Sequence, residues 1–456
     1  MTNLDTALSA LATGFSGTLI RPADAGYDAT RTVVYGGFDR RPGIIARVKT
    51  AADVQAVVNA ARLSGMELAV RSGGHSNAGH STSEGGLVLD LRDMTAITVD
   101  AGAGTAWAET GATAIEVTKA ALEHGLVVGF GDAGSVGIGG ITLGGGVGYL
   151  VRQWGLTIDS LLAVELVTAD GQLRMVDATH EAELFWALRG GGGNFGVATR
   201  FKFQLHPLPD FTGGMIALPA TPETVAGFVA AASAAPEALS TIFSVMPAPP
   251  LPFLPAEVHG KLIVLGMLAF AGPAAEAERA VAPFRAVGKP YADFVKPGPY
   301  TQLYPPEDPN LHPTAALRNM FMNRIGLAEA RTILDTLQAG DAAFRVAQIR
   351  VLGGAAARVP AEATAYAHRA APIMLNLAAF WTTPEDRLKQ EVWVERFMGM
   401  LRQEVTGAYV NFLADEGPER VSVAYPGATG ERLARIKAAV DPDNLFHLNQ
   451  NIVPAR

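Results

Sequence analysis

Apolar positions recur at helical spacing after Thr50-Ala-Ala-Asp53, where Val54, Val57, Val58 and Ala61 mark one face. Thr50 with Asp53 three residues on resembles a capping box, and Gly65 stops the element. Glu67–Arg71 then predicts a short strand that runs into Ser72-Gly73-Gly74-His75. Leu87–Leu91 and Ile97–Asp100 predict strands, and Ala112–Glu123 a helix ended by Gly125. Leu162–Asp177 reads as a hairpin turned by Asp170-Gly171. A helix over Glu181–Leu188 meets Gly190–Gly196, and Val197–Leu205 follows as a strand.

Beyond His206-Pro-Leu-Pro-Asp210, a boundary by composition, the pattern changes. Ala-rich helical stretches alternate with Pro-rich loops over Pro247–Pro255 and Pro305–Pro313. Ala347–Leu352 and Ile373–Phe380 predict strands, and Glu431–Ala439 a helix stopped at Asp441-Pro442. A chain of 456 residues exceeds what one core supports, so two domains are expected, with room for discontinuous boundaries.

Composition narrows the function classes. Hydrophobic residues are 49% and charged residues 18%, which allows a large core and excludes disorder of the whole chain. The net charge of -8, without a Lys/Arg run, argues against nucleic acid. The absence of cysteine excludes disulfides, thiolate nucleophiles, Cys-bound zinc and Cys-ligated iron–sulfur clusters, and fits a reducing, cytoplasmic compartment. No metal site is expected. The first residues do not read as a signal peptide, and no run of about 18 apolar residues suggests a membrane span. Oligomeric state is not legible.

Glycine crowds residues 72–79, 129–148 and 190–196. Either these are tight turns between strands, or one extended ligand lies over closely approaching backbone. Gly129-Phe-Gly131-Asp-Ala-Gly134 matches the dinucleotide fingerprint by letter. More glycine follows it where a helix is required, and Trp154 stands about 20 residues past Gly134 where the fingerprint needs an acid, so a Rossmann site is rejected.

Arg71-Ser-Gly-Gly-His75 after a strand, Gly131-Asp-Ala-Gly-Ser-Val-Gly-Ile-Gly-Gly140, Leu143-Gly-Gly-Gly-Val-Gly148, Gly190–Gly196, Asp441-Pro-Asp-Asn-Leu-Phe446 and Asn449-Gln-Asn-Ile452 form one set. Together they resemble the berberine-bridge-enzyme-like group of the vanillyl-alcohol-oxidase flavoprotein superfamily. The resemblance is close over about 30–206 and again from about 405. It implies an α+β fold: a two-lobed FAD-binding domain over 1–206, a substrate-binding domain over 207–405 with an antiparallel sheet covered by helices, and a C-terminal segment, 406–456, that returns to the FAD domain. It further implies FAD bound covalently through His75, with the Arg71–Asn77 backbone cradling the pyrophosphate. Many members add a second bond from a cysteine at the position of Ala133, which is impossible here, so the chain resembles the singly tethered branch. Val136 matches the oxygen-gate position, where a small side chain accompanies oxidase behaviour.

The cofactor-binding set expected on this resemblance is Arg71, Ser72, Gly73, Gly74, His75, Ser76, Asn77, Gly131, Ser135, Val136, Gly139, Gly140, Gly145, Gly148, Val197, Asn449 and Asn451. Tyr409-Val-Asn411 matches the family's Y-x-N strand, and alternation would put Tyr409 and Asn411 on one face. Where relatives place a carboxylate base, Asn376 stands, and an amide is not a base near neutral pH. The proton therefore goes to Tyr409 or to water, or hydride leaves without a protein base. Arg350, sharing a face with Gln348, is either an anion-binding group or a solvated surface residue. Tyr149 and Trp154 either line the pocket or pack in the core, and His80 is a rival to His75 outside the motif.

The expected reaction is hydride removal from a C–H next to N or O of a small organic substrate, with O2 reduced to H2O2. A dehydrogenase with another acceptor, an NADPH-dependent reductase and a non-catalytic binding module are the alternatives.

Overall fold

The computed structural model describes residues 2–456 except Thr13, Pro305 and Thr406. The first residue of the Pro-rich loop at 305–313 and the first of the expected C-terminal segment thus lie outside the described residues.

The capped helix forms as expected, over Ala51–Ser64, with both capping-box bonds between Thr50 and Asp53 and Gly65 in the left-handed region. It packs on a four-stranded sheet: β1 (Thr18–Ile20), β2 (Ile44–Arg47), β3 (Leu68–Arg71) and β4 (Leu87–Asp90), in order β1-β2-β4-β3. β2, β4 and β3 run parallel, so both faces are covered and the strands are apolar without alternation. A second, antiparallel sheet holds β5 (Ile97–Asp100), β6 (Thr105–Glu109), β7 (Leu161–Val167), β8 (Leu173–Asp177) and β9 (Val197–Gln204), in order β5-β6-β9-β7-β8. The β7–β8 hairpin turns at Gly171, whose φ of 77° a side chain would resist.

Residues 211–380 build a separate sheet of eight strands, all antiparallel. Its long members are β10 (Phe211–Pro219), β11 (Leu239–Pro247), β12 (Leu262–Ala271), β13 (Ala315–Met322), β14 (Arg345–Val351) and β15 (Ile373–Phe380), in order β10-β12-β11-β14-β15-β13. Two short strands extend the β10 edge. Helices over Pro222–Ala234, Ala274–Ala286, Leu327–Ala339 and Pro384–Leu401 cover one face, closing a core of Phe228, Phe243, Phe284, Ile349 and Leu375. The other face turns toward the glycine loops.

Two expectations fail locally. A helix does follow the Gly129–Gly134 loop, over Ile138–Leu143. It is only six residues long and carries two glycines, which hides it from propensity. The expected strand at Tyr409–Asn411 is instead a 3-10 turn over Val410–Phe412. The Phe412 N–H bonds to the Tyr409 carbonyl (3.0 Å) and Leu413 N–H to that of Val410 (3.3 Å), so the backbone is satisfied locally and needs no ladder.

Candidate active site

Where β3 ends, Arg71 is buried and anchors the loop from beneath. Its guanidinium donates to the carbonyls of Ser81 (2.9 Å), Thr30 (2.5 Å) and Arg31 (3.1 Å), so its side chain stays out of the cavity above. Ser72, Gly73, Gly74, His75, Ser76 and Asn77 all line that cavity, whose volume is about 310 Å³. The second glycine loop presses against the first. A Cβ on Gly73 would sit 2.3 Å from the Gly137 nitrogen, and one on Gly137 2.1 Å from that of Gly73. A Cβ on Gly139 would meet Thr110 at 2.6 Å. Only glycine lets the two backbones form one wall.

Gly131, Val136, Gly139, Gly140, Val197 and Asn449 line the same cavity, as do Tyr409 and Asn411. Gly145 and Gly148 do not. Gly145 lies under the Tyr366 and Tyr409 rings, and a Cβ on Gly148 would sit 1.9 Å from the Phe130 carbonyl, so both allow chain crossings beside the site. Asn451 also stands outside the lining; its Oδ1 is buried without a partner. Ser135 reaches the site through His75, its Oγ 2.9 Å from His75 Nε2.

Tyr409 and Asn411 do meet, by the turn and not by strand alternation. Tyr409 Oη accepts from Gly146 N–H (2.9 Å) and from Asn411 Nδ2 (2.9 Å). Burial raises the Tyr409 hydroxyl above the usual tyrosine range, so it remains protonated at neutral pH. Burial likewise lowers His75 below the ordinary histidine value, leaving a neutral imidazole at pH 7. His80 lines the cavity too and is pushed down to about 4 by burial.

Arg350 is neither solvated nor free for an anion. It is buried, donating to Val147 O (2.9 Å), Asp132 Oδ2 (2.7 Å) and Gln348 Oε1 (2.9 Å), and it lies over the Phe412 ring. Among the described lining residues Asp132 is the one carboxylate, and Arg350 neutralises it. Tyr149 packs with Tyr300 and Leu303 in an apolar cluster, and Trp154 stacks on His206 with ring centroids 5.1 Å apart.

The uncovered face of the eight-stranded sheet shows its order in the register. Ser244, Gln348, Asn376 and Asn319 stand side by side across β11, β14, β15 and β13. Ser244, Gln348 and Asn376 are only half-buried although they sit in the middle of central strands. Two positions further along these strands the residues are apolar: Met246 pairs with Ile263, and Ala378 pairs with Val346 and Leu317. Asn376 Oδ1 is buried without a partner; Asn376 lies outside the cavity lining and within this polar row. The row joins the loop cavity through the Gln348–Arg350–Asp132 contacts.

Tyr35, Asp132, Gly192, Gly193, Asn194 and Gln450 line the cavity without having been singled out. Gly192–Asn194 and Gln450 lay inside recognised motifs; Tyr35 sat in a stretch without periodicity or motif, so no local signal pointed to it.

An elongated dinucleotide suits this place. The cavity runs between both chain ends, its walls are glycine backbone, and two wall atoms, Thr110 Oγ1 and Asn449 Oδ1, are buried with no partner from the protein. Such orphaned acceptors and donors call for a ligand or water. The comparisons agree. The FAD binding domain model matches residues 42–177 and the berberine and berberine like model matches residues 408–453. The (R)-6-hydroxynicotine oxidase of Paenarthrobacter nicotinovorans is 31% identical over 98% of this chain and 99% of its own. The uncharacterized FAD-linked oxidoreductase YgaK of Bacillus subtilis is 30% identical over 97% and 98%. The crystal structure of 6-hydroxy-D-nicotine oxidase from Arthrobacter nicotinovorans superposes with a TM-score of 0.86 at 27% identity, covering 97% of this chain and 99% of that one. The chain is an FAD-linked oxidoreductase and belongs to the berberine-bridge-enzyme-like family of the vanillyl-alcohol-oxidase superfamily.

Proposed function

We propose that this enzyme is an oxidase: it removes a hydride from a C–H next to N or O of a small organic substrate and passes the electrons to O2, giving H2O2. FAD, held along the loops at 72–77, 131–140 and 192–197, would accept the hydride and would be tethered to His75 as its only covalent bond. Residues 1–206 and 406–456 would hold the cofactor, and 207–405 the substrate. Val136 in the cavity wall supports the oxidase reading, since its small side chain leaves room for O2. No helix among the described residues is long and apolar enough to cross a membrane, and the lack of cysteine fits the cytoplasm.

The carrying observation is the polar row Ser244–Gln348–Asn376–Asn319 between the apolar positions and the Arg350 link. It offers hydrogen bonds but no charge. A neutral, mostly apolar molecule with one polar edge satisfies it; a strong anion or cation does not. With Tyr409 protonated, Asp132 paired and the His80 imidazole made a weak base by burial, no described residue of the cavity lining stands ready as a free carboxylate or phenolate to take a proton. The substrate therefore gives up hydride without a protein base, and Tyr409 and Asn411 orient it. The test is aerobic turnover of matched amines, secondary alcohols and phenols with peroxide detection. One peroxide per substrate oxidised, with uncharged substrates preferred, supports the reading. Reduction of quinone dyes with no peroxide refutes the oxidase assignment.

A further inference from the structure

Tyr304 and residues 306–314, from the middle of the chain, lie against the glycine loops. The Tyr304 side chain lies beside Gly134, Gly36 N–H bonds to Pro313 O (3.0 Å), and His312 Nδ1 lies 3.3 Å from Val34 O. At its centre, Glu307 reaches Ser135: one carboxylate oxygen takes the Ser135 hydroxyl and the other lies 3.3 Å from the Ser135 N–H. Ser135 Oγ in turn is 2.9 Å from His75 Nε2.

Donor arithmetic fixes the proton positions. An ionised carboxylate only accepts, so the single Ser135 O–H goes to Glu307. The Ser135 oxygen can then only accept, so His75 carries its proton on Nε2. Nδ1 keeps its lone pair and has no hydrogen-bond partner among the described residues, while the ring lines the cavity.

We infer that Glu307 and Ser135 are positioning residues for covalent attachment of the flavin: through Ser135, Glu307 holds His75 in the one tautomer whose free lone pair can form the bond. The inference rests on the His75 tether proposed above. Attachment breaks one C–H bond at the flavin's 8α-carbon and forms one N–C bond to His75. The proton leaves to solvent, and the two electrons enter the flavin ring until O2 removes them. Because Glu307 belongs to the middle of the chain, tethering waits until that region has docked on the glycine loops.

The test compares the wild type with Glu307→Gln, Ser135→Ala, Ser135→Thr and His75→Ala. Each is purified with FAD bound, and the fraction carrying flavin mass is followed over time in denatured protein. Glu307→Gln and Ser135→Ala should attach flavin at least tenfold more slowly while keeping a yellow native form that releases FAD in acid. Ser135→Thr, which keeps the hydroxyl, should recover the rate, an outcome that a merely structural role for Ser135 would not require. Wild-type rates in both Glu307→Gln and Ser135→Ala overturn the inference and leave the tether standing. A wild type with no flavin mass overturns both.

Discussion

Lys437 offers a test in which structure sets the magnitude. Its ammonium is fully buried and has all three donors used: Asn194 O (2.7 Å), Phe446 O (2.9 Å) and Asp441 Oδ2 (2.5 Å). Asp441 also accepts the N–H groups of Leu445 (2.7 Å) and Phe446 (2.9 Å). Asn194 bonds on to Gln450 O (3.1 Å) and to Ile452 N–H (2.9 Å), so this one cation ties the 190s loop to the C-terminal segment across the cavity. Lys437→Met keeps the volume and removes the charge. Breaking a buried pair by deleting one partner costs about 3–5 kcal/mol. The two lost carbonyl bonds are part of that cost and are not added to it. For a cooperative unit of this size each kcal/mol moves Tm by roughly 2–4 °C, so calorimetry should show a fall of about 6–20 °C. Native flavin content should fall with it, because Gly193, Asn194, Asn449 and Gln450 all line the cavity. The double variant Lys437→Met/Asp441→Asn removes the orphaned charge and should regain at least about 1 kcal/mol. A single variant that melts within about 2 °C of wild type would show that the buried pair does not hold these segments together.

Gly137→Ala puts a methyl 2.1 Å from the Gly73 nitrogen, against backbone that cannot yield, and should yield folded protein without visible flavin absorbance. Tyr409→Phe should lower kcat by less than about a hundredfold, below what loss of a general base often costs, and kcat should show no inflection from this group below about pH 10. Burial raises Tyr149, Tyr300, Tyr366 and Tyr425 as well, and pushes Tyr35 up to about 12. The unfolded chain loses these protons first, so this stability is complete below about pH 10 and is lost as pH climbs through the folded values; a flat Tm between pH 9 and 12 would contradict it.

How far the sequence was legible follows the range of the interactions involved. The helix after Thr50 and the hairpin at Gly171 were readable because their determinants lie within a few residues: a capping box, and a turn needing positive φ. The glycine loops were readable as one site because the chemistry of close approach is written in a single residue type. The turn at Tyr409 was misread since a strand and a 3-10 turn look alike over three residues. Arg350 showed its face by alternation, yet its partner Asp132 lies 218 positions away, and nothing local separates a paired arginine from a solvated one. Glu307 sits in a Pro-rich loop whose relation to His75 exists only after the two regions dock. Pairings of that kind are set by tertiary packing, which local pattern does not encode.

The proposed function requires FAD along these loops with a covalent bond to His75. Mass spectrometry of the denatured wild-type chain, beside His75→Ala, tests it directly. The wild type should be heavier by one flavin, with a yellow acid pellet, and the His75→Ala chain should have bare polypeptide mass and release its flavin to the supernatant. A wild-type chain of bare polypeptide mass, or flavin still attached in His75→Ala, would contradict it.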